Sequence, residues 1–379
     1  MTVTEDKTAL EEKSKKYARR RYVLALLNLF LIIAFLVFMT LYLTFPLRDI
    51  AVGLAENYYL QLGIYYLGFC LLFSLISLPL DFYSGYILEH SFELSNQTLL
   101  DWIKNELKGG GLGFALTLPM VEAVYFLIRN FPEYWWVLAG ILLTLVSVLM
   151  VRIAPVLILP LFYKSTPLED EGLEKALTPL AEDAGVTLEG VYKINLSKDT
   201  KKANAMLTGL GSTRRVIFGD TLLERFSTEE IRVVFAHELG HHVYRHLWKF
   251  LAVASVAGFV GLYIASRLLE RLALELEFEL MYDVATLPLL LLIMGAFAII
   301  MLPLENYYSR RLERQCDLYA LDKTRNPWAF VGAMTKLADN NLADKDPSSI
   351  IEYIFYDHPT IAKRIEMAKQ WATRTTDKA

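Results

Sequence analysis

The chain has 379 residues, 54% of them hydrophobic, with a mean hydropathy of +0.34, which is more apolar than an ordinary water-soluble domain. A formal net charge of −4 argues against nucleic acid as a partner. Two cysteines, Cys70 and Cys316, cannot build a disulfide framework, and no C-x-x-C metal or redox motif is present.

Taken in order, the chain opens with Lys7, Lys13, Lys15, Lys16, Arg19, Arg20 and Arg21, interleaved with Glu5, Asp6, Glu11 and Glu12. Residues 22–45 and 57–80 follow, each 24 residues without a charge. Residues 109–128 contain Glu122 and residues 134–162 contain Arg152; 250–266 and the 21-residue run 284–304 complete the set. About 20 apolar residues at 1.5 Å each cross a hydrocarbon core, so six transmembrane helices are predicted in the lipid bilayer. The first run is too long for a signal peptide's apolar region and lacks a small-residue cleavage site, so it reads as an anchor. The basic cluster before it, against Arg48 alone in the next short loop, places the N-terminus in the cytoplasm. Six crossings then return the C-terminus, with the loops 81–108 and 163–249, to the same side. Glu122 and Arg152 cost roughly 2.5–3.5 kcal/mol each in hydrocarbon, so both are expected to face water in an internal cavity.

Between the fourth and fifth spans, "STPLEDEGLEKALTPLAEDAG" predicts a helix, and "VYKINLS", "NAMLTGL" and "RRVIFGD" predict short strands. Ser227 and Glu230 have the spacing of a capping box, opening a long helix that is expected to run toward the fifth span. The expected fold class is mainly α: a polytopic membrane protein of about six transmembrane helices with a small α+β zinc-peptidase domain. The divisions are 1–162 (basic segment and spans 1–4), 163–249 (α+β segment), 250–304 (spans 5–6) and 305–379 (helical C-terminal region).

Four of the six histidines lie between residues 237 and 246, in "HELGHHVYRH". Residues four apart share a helix face, so His237 and His241 can aim ring nitrogens at one point with Glu238 beside them. This is H-E-x-x-H: two zinc-binding imidazoles and a glutamate general base. The second pair, His242 and His246, has no glutamate at the matching position. A catalytic zinc needs a third protein ligand and an open fourth position. Glu313, in "SRRLERQCD", is the candidate ligand; Asp317, one turn on, is the candidate acceptor for a ligand imidazole's other N–H. A solvated helix face remains the competing reading of those carboxylates.

These motifs, with "HSFELSNQTLLDWIKNELK", "APVLILPLFYKSTPLED", "NAMLTGLGSTRRVIFGDTLLE", "SRRLERQCDLYAL" and "DHPTIAKRI", resemble the M48 membrane zinc metalloendopeptidases, most of all the Ste24-type CAAX prenyl proteases and their prokaryotic relatives. The resemblance runs from about residue 78 to 364. It implies one zinc per chain on His237, His241 and Glu313. It implies that Asn204 and Ala205 sit on an edge strand that binds the substrate backbone, and that His358 and Arg364 reach the active site and stabilise the oxyanion. It places His246 near the metal helix, while His242 replaces the usual aromatic and Cys316 stands where the pattern has alanine. Substrates implied are membrane-associated or prenylated peptides. Ste24-type proteases arrange seven spans around a water-filled chamber; this chain has six. The rival from another class is a non-catalytic, transporter-like membrane chamber with structural zinc, which would close its site with four protein ligands.

Overall fold

The computed structural model describes residues 3–186, 189–208 and 214–376. Among the described residues, six helices are long and apolar enough to cross a membrane: Lys7–Leu54, Tyr58–Ser91, Leu99–Asn130, Trp135–Phe162, His246–Glu275 and Val284–Thr324. They exceed the apolar runs in the sequence because most continue past them as polar helix. Phe30, Leu71, Leu75 and Leu145 point outward from them, a surface suited to lipid hydrocarbon. Glu122 lies half-buried, its carboxyl group beside Gly63 of the second span, and Arg152 is exposed. π-helical turns at Met39–Leu43, Tyr83–Ile87 and Ala154–Ile158 interrupt the first, second and fourth spans. Pro79, four residues before the second of these, and Pro155, inside the third, each lack an amide donor, so the helical ladder slips there.

The six spans are neighbours in chain order, and the sixth packs back against the first, closing a ring of six helices among the described residues. Met39, Leu62, Tyr125, Trp135, Leu269 and Leu290, one from each span, belong to a single apolar cluster. It fills the end of the ring remote from residue 246, where the loops after the third and fifth spans lie. Buried hydroxyls there are satisfied: Thr44 meets Tyr65 at 2.7 Å and Tyr125 meets Thr286 at 2.9 Å.

At the other end, the segment between the fourth and fifth spans forms a four-stranded sheet in the order β1-β2-β4-β3. The strands are β1 (Ser165–Pro167), β2 (Gly190–Ile194), β3 (Ala205–Thr208) and β4 (Arg215–Gly219). Only the β2–β4 pair is parallel; β3 runs antiparallel to β4, Ala205 opposite Phe218 and Thr208 opposite Arg215. The first strand corrects the sequence reading, which assigned "STP" to the following helix. That helix starts at Glu171, capped by Asp170, and ends before Gly185, whose φ of +65° suits glycine. Its Leu173, Leu177 and Leu180 pack in one core with Phe218 of β4 and Ile231, Val234 and Phe235 of the next helix.

That next helix, Thr228–Val243, carries the histidines. Ser227 and Glu230 close a reciprocal capping box, and the Glu230 carboxylate also receives Lys336. The sequence reading ran this helix toward the fifth span. Instead the chain breaks at Tyr244 and Arg245, the latter at φ +54°, and a new helix starts at His246. The Lys13 ammonium pairs with Glu93, and Lys202 with Glu89, so the N-terminal basic segment, the end of the second helix with the loop after it, and the segment leading into β3 share one face. Helices Pro327–Asn340, Ser349–Phe355 and Ile361–Thr376 complete that face.

Candidate metal centre and active site

The i,i+4 spacing turns His237 and His241 to one side of their helix, with their Nε2 atoms 3.3 Å apart. Glu313 meets them from the sixth helix, Oε2 at 3.1 Å from His237 Nε2 and Oε1 at 3.3 Å from His241 Nε2. The two helices approach this closely because Gly240 faces Cys316: a Cβ at residue 240 would stand 3.0 Å from the Cys316 Cα. Gly240→Ala is therefore expected to push the helices apart, at a cost of about 1–3 kcal/mol, and to weaken zinc binding. Thermal unfolding together with zinc content checks this, and an unchanged Tm with full zinc would contradict it.

Asp317 is wholly buried one turn beyond Glu313, and its Oδ1 accepts a hydrogen bond from His237 Nδ1 at 2.9 Å. The Arg364 guanidinium grips the same carboxylate with two N–H groups, Nε at 2.9 Å from Oδ2. The arginine's fork is thus directed at Asp317, behind the histidine. Burial alone would lower the pKa of His237, but the hydrogen bond to Asp317 and the Glu313 carboxylate close to the other ring nitrogen outweigh it and raise the value to about 9. The pocket favours positive charge at that ring. His358 stands on the other side of Glu313, Nε2 3.2 Å from Oε2, with Nδ1 2.8 Å from Asp357. Burial opposes its charge, while Asp357 and Glu313 push its pKa above the ordinary imidazole value.

His241 points its other nitrogen at His246, Nδ1 to Nδ1 at 3.1 Å, and His246 Nε2 lies 3.1 Å from Gln315 Oε1. With Gln315 accepting, His246 donates from Nε2 and keeps its Nδ1 lone pair for the His241 N–H. His241 Nε2 is then left with a lone pair facing Glu313's side of the site. His242 points elsewhere, into the wall of a cavity of about 660 Å³ that Glu238, His241, Arg245 and Trp248 also line.

Glu238 also borders a cleft of about 420 Å³ on its other side, together with Asn204, Ala205, His237, His358 and Arg364. Asn204 is exposed just before β3, and its carbonyl accepts from Gly219 N at 2.9 Å. Asn341 fixes this approach by bonding both Ala203 N and Ala203 O through its side-chain amide. Beyond β4, no further strand pairs with β3 among the described residues. Gln315, Asn341 and Arg310, which holds the carbonyls of Glu352 and Tyr356 beside His358, were not marked by any sequence pattern.

The donor set fits zinc. Nitrogens about 2.0–2.1 Å from a tetrahedral zinc stand about 3.4 Å apart, close to the 3.3 Å between His237 and His241. One ligand atom from each of His237, His241 and Glu313 lies within 4.8 Å of the others. Glu313 Oε2 is buried with no aligned hydrogen-bond donor, an acceptor that a cation would satisfy. Asp317→Asn, which keeps the side chain's size and removes its charge, is expected to lower zinc affinity roughly 10–100-fold. Competition with a fluorescent chelator measures this, and unaltered affinity would show that Asp317 does not tune the site.

Residues 167–372, over half of the chain, match the family model described as peptidase family M48. The chain belongs to that family. Residues 5–164 of this M48 protease match the model described as the CAAX prenyl protease N-terminal domain of five membrane helices, where the structure has four among the described residues. It is 31% identical to the metalloprotease YhfN of Bacillus subtilis over 79% of this chain and 71% of that one. It is 29% identical to CAAX prenyl protease 1 of Saccharomyces cerevisiae over 77% and 68% respectively. The crystal structure of S. mikatae Ste24p superposes with a TM-score of 0.81 at 25% identity, covering 94% of this chain and 88% of that one. The protein is a Ste24-type membrane zinc metalloprotease.

Proposed function

We propose that this protease holds one zinc ion on His237, His241 and Glu313 and cuts peptide bonds in membrane-associated or prenylated, CAAX-type substrates on the cytoplasmic side. The observation that carries the reading is the convergence of those three donors beside Glu238, in a cleft bordered by β3. Zinc there would polarise the scissile carbonyl and lower the pKa of water in its open position.

The chain's own residues do the rest. An extended peptide adds as a further strand along β3, with Asn204 and Ala205 offering hydrogen bonds to its backbone. Glu238 takes a proton from the attacking water and returns it to the leaving amine. His358, held by Asp357 and favoured in its charged form, donates to the developing oxyanion. Arg364 acts one step back: it keeps Asp317 ionised and aimed at His237, so that Nε2 keeps its lone pair for the metal. The basic N-terminal segment, which shares a face with the segment leading into β3, supports a cytoplasmic site. The names of the relatives support a prenylated substrate.

The test uses purified full-length protein and two peptides that differ only in a farnesyl group. A chelator is expected to abolish cleavage and one equivalent of zinc to restore it, with a lower KM for the farnesylated peptide. Zinc-loaded protein that cuts neither peptide would contradict the proposal.

A further inference from the structure

Cys316 sits directly behind the metal centre, on the same helix as Glu313, and its Sγ lies 3.4 Å from His246 Nδ1. That nitrogen is itself 3.1 Å from His241 Nδ1. His241, His246 and Cys316 each present a ligand atom within 4.8 Å of the other two. A tetrahedral zinc with bonds of about 2.0–2.1 Å to nitrogen and about 2.3 Å to sulfur sets N···N near 3.4 Å and N···S near 3.6 Å. The observed spacings are within a few tenths of an ångström of both.

Two features build this trio. Arg245 adopts φ +54°, a conformation rarely taken by a non-glycine residue, and thereby starts a new helix with His246 turned back toward His241. Gln315 occupies His246 Nε2, which leaves the Nδ1 lone pair facing the other two groups. His246 and Cys316 are buried, whereas half-buried His241 lines the cavity of about 660 Å³, which offers a cation a way in. Sulfur and imidazole together suit soft or borderline metals rather than magnesium or calcium.

We propose that His241, His246 and Cys316 form a second, inhibitory site for a thiophilic divalent cation, either zinc in excess of one equivalent or cadmium, sharing His241 with the catalytic zinc. Filling it expels two protons to solvent, one from the Cys316 thiol and one from His241 Nδ1, and replaces them with metal–sulfur and metal–nitrogen bonds. The shared ring then carries a cation on each side, and their repulsion loosens the catalytic metal. The inhibitory consequence rests on His241 being a ligand of the first zinc; the existence of the second site does not.

The experiment titrates cadmium into the one-zinc holoenzyme of wild type, Cys316→Ala and, as a control for the other thiol, Cys70→Ala. A thiolate-to-cadmium charge-transfer band is expected to saturate at one added equivalent in wild type and Cys70→Ala, and to be absent in Cys316→Ala. Cadmium at the first site has no sulfur ligand and yields no such band. In parallel, Cys316→Ala is expected to cleave peptide at the wild-type rate at one equivalent of zinc. The excess zinc needed for half-inhibition should rise at least about tenfold. No band in wild type, or a band that survives in Cys316→Ala, overturns the second site. A band lost in Cys316→Ala with unchanged zinc inhibition overturns the inhibitory role. If no variant cleaves peptide at all, the peptidase reading fails while the band still decides the site.

Discussion

Glu238→Gln is expected to keep one zinc per chain and to lower kcat by about 10²–10⁴-fold, the range that a positioned general base contributes. The side chain lies between two cavities and has no hydrogen-bond or ion-pair partner among the described residues, so it is free to face a reacting water. Glutamine has nearly the same shape and can still accept a hydrogen bond, but it cannot take up a proton at neutral pH. The loss should therefore fall on kcat, with KM little changed, because the substitution keeps the side chain's size and leaves the β3 edge, the proposed peptide-binding strand, unaltered. Zinc content and steady-state kinetics on the same preparation check it. Normal turnover in this variant would remove Glu238 from the mechanism.

Glu313→Ala is expected to fail in the opposite order, losing the metal first. It removes the one carboxylate bridging the region between His237 Nε2 and His241 Nε2, leaving two imidazoles and no anionic donor. Groups one shell out from a metal are worth roughly 10–100-fold in affinity, so a direct ligand should cost more than about 100-fold, enough to empty the site during purification. Activity should fall to background, and the Tm of the variant should no longer respond to added zinc, because a ligand stabilises only the folded state that binds it. Full zinc occupancy in Glu313→Ala would show that another residue supplies the third donor. The two variants separate roles that a simple loss of activity would confuse: one inactive with zinc, the other inactive without it.

The spans were legible in the sequence because a charge-free run of some 20 residues has few other uses. Their closure into a ring was not, since it depends on side chains spread over all six helices, such as Met39, Trp135 and Leu290. His237, Glu238 and His241 were legible as a unit because helical periodicity alone puts them together. Glu313 comes from a helix more than 70 residues away; spacing and the nearby end of the sixth span made it the candidate third ligand but left a solvated helix face as the competing reading, and the family resemblance favoured the ligand. Gln315 and the approach of His246 to Cys316 depend on the left-handed turn at Arg245, a position whose residue type announces no such turn. The strand β1 escaped notice because three residues ending in proline carry no alternation to detect. Arg364 illustrates a subtler gap: its place at the site was suggested by resemblance, but its pairing with buried Asp317 required coordinates.

X-ray absorption at the zinc edge, on protein loaded with a single equivalent, tests the central claim most directly. The expected spectrum shows two imidazole nitrogens near about 2.0–2.1 Å, carboxylate oxygen, one exchangeable light atom and no sulfur shell. A sulfur shell near about 2.3 Å would mean that the first zinc sits on Cys316 rather than on Glu313, and four non-exchangeable protein ligands would mean a structural metal; either result would contradict a catalytic centre on His237, His241 and Glu313.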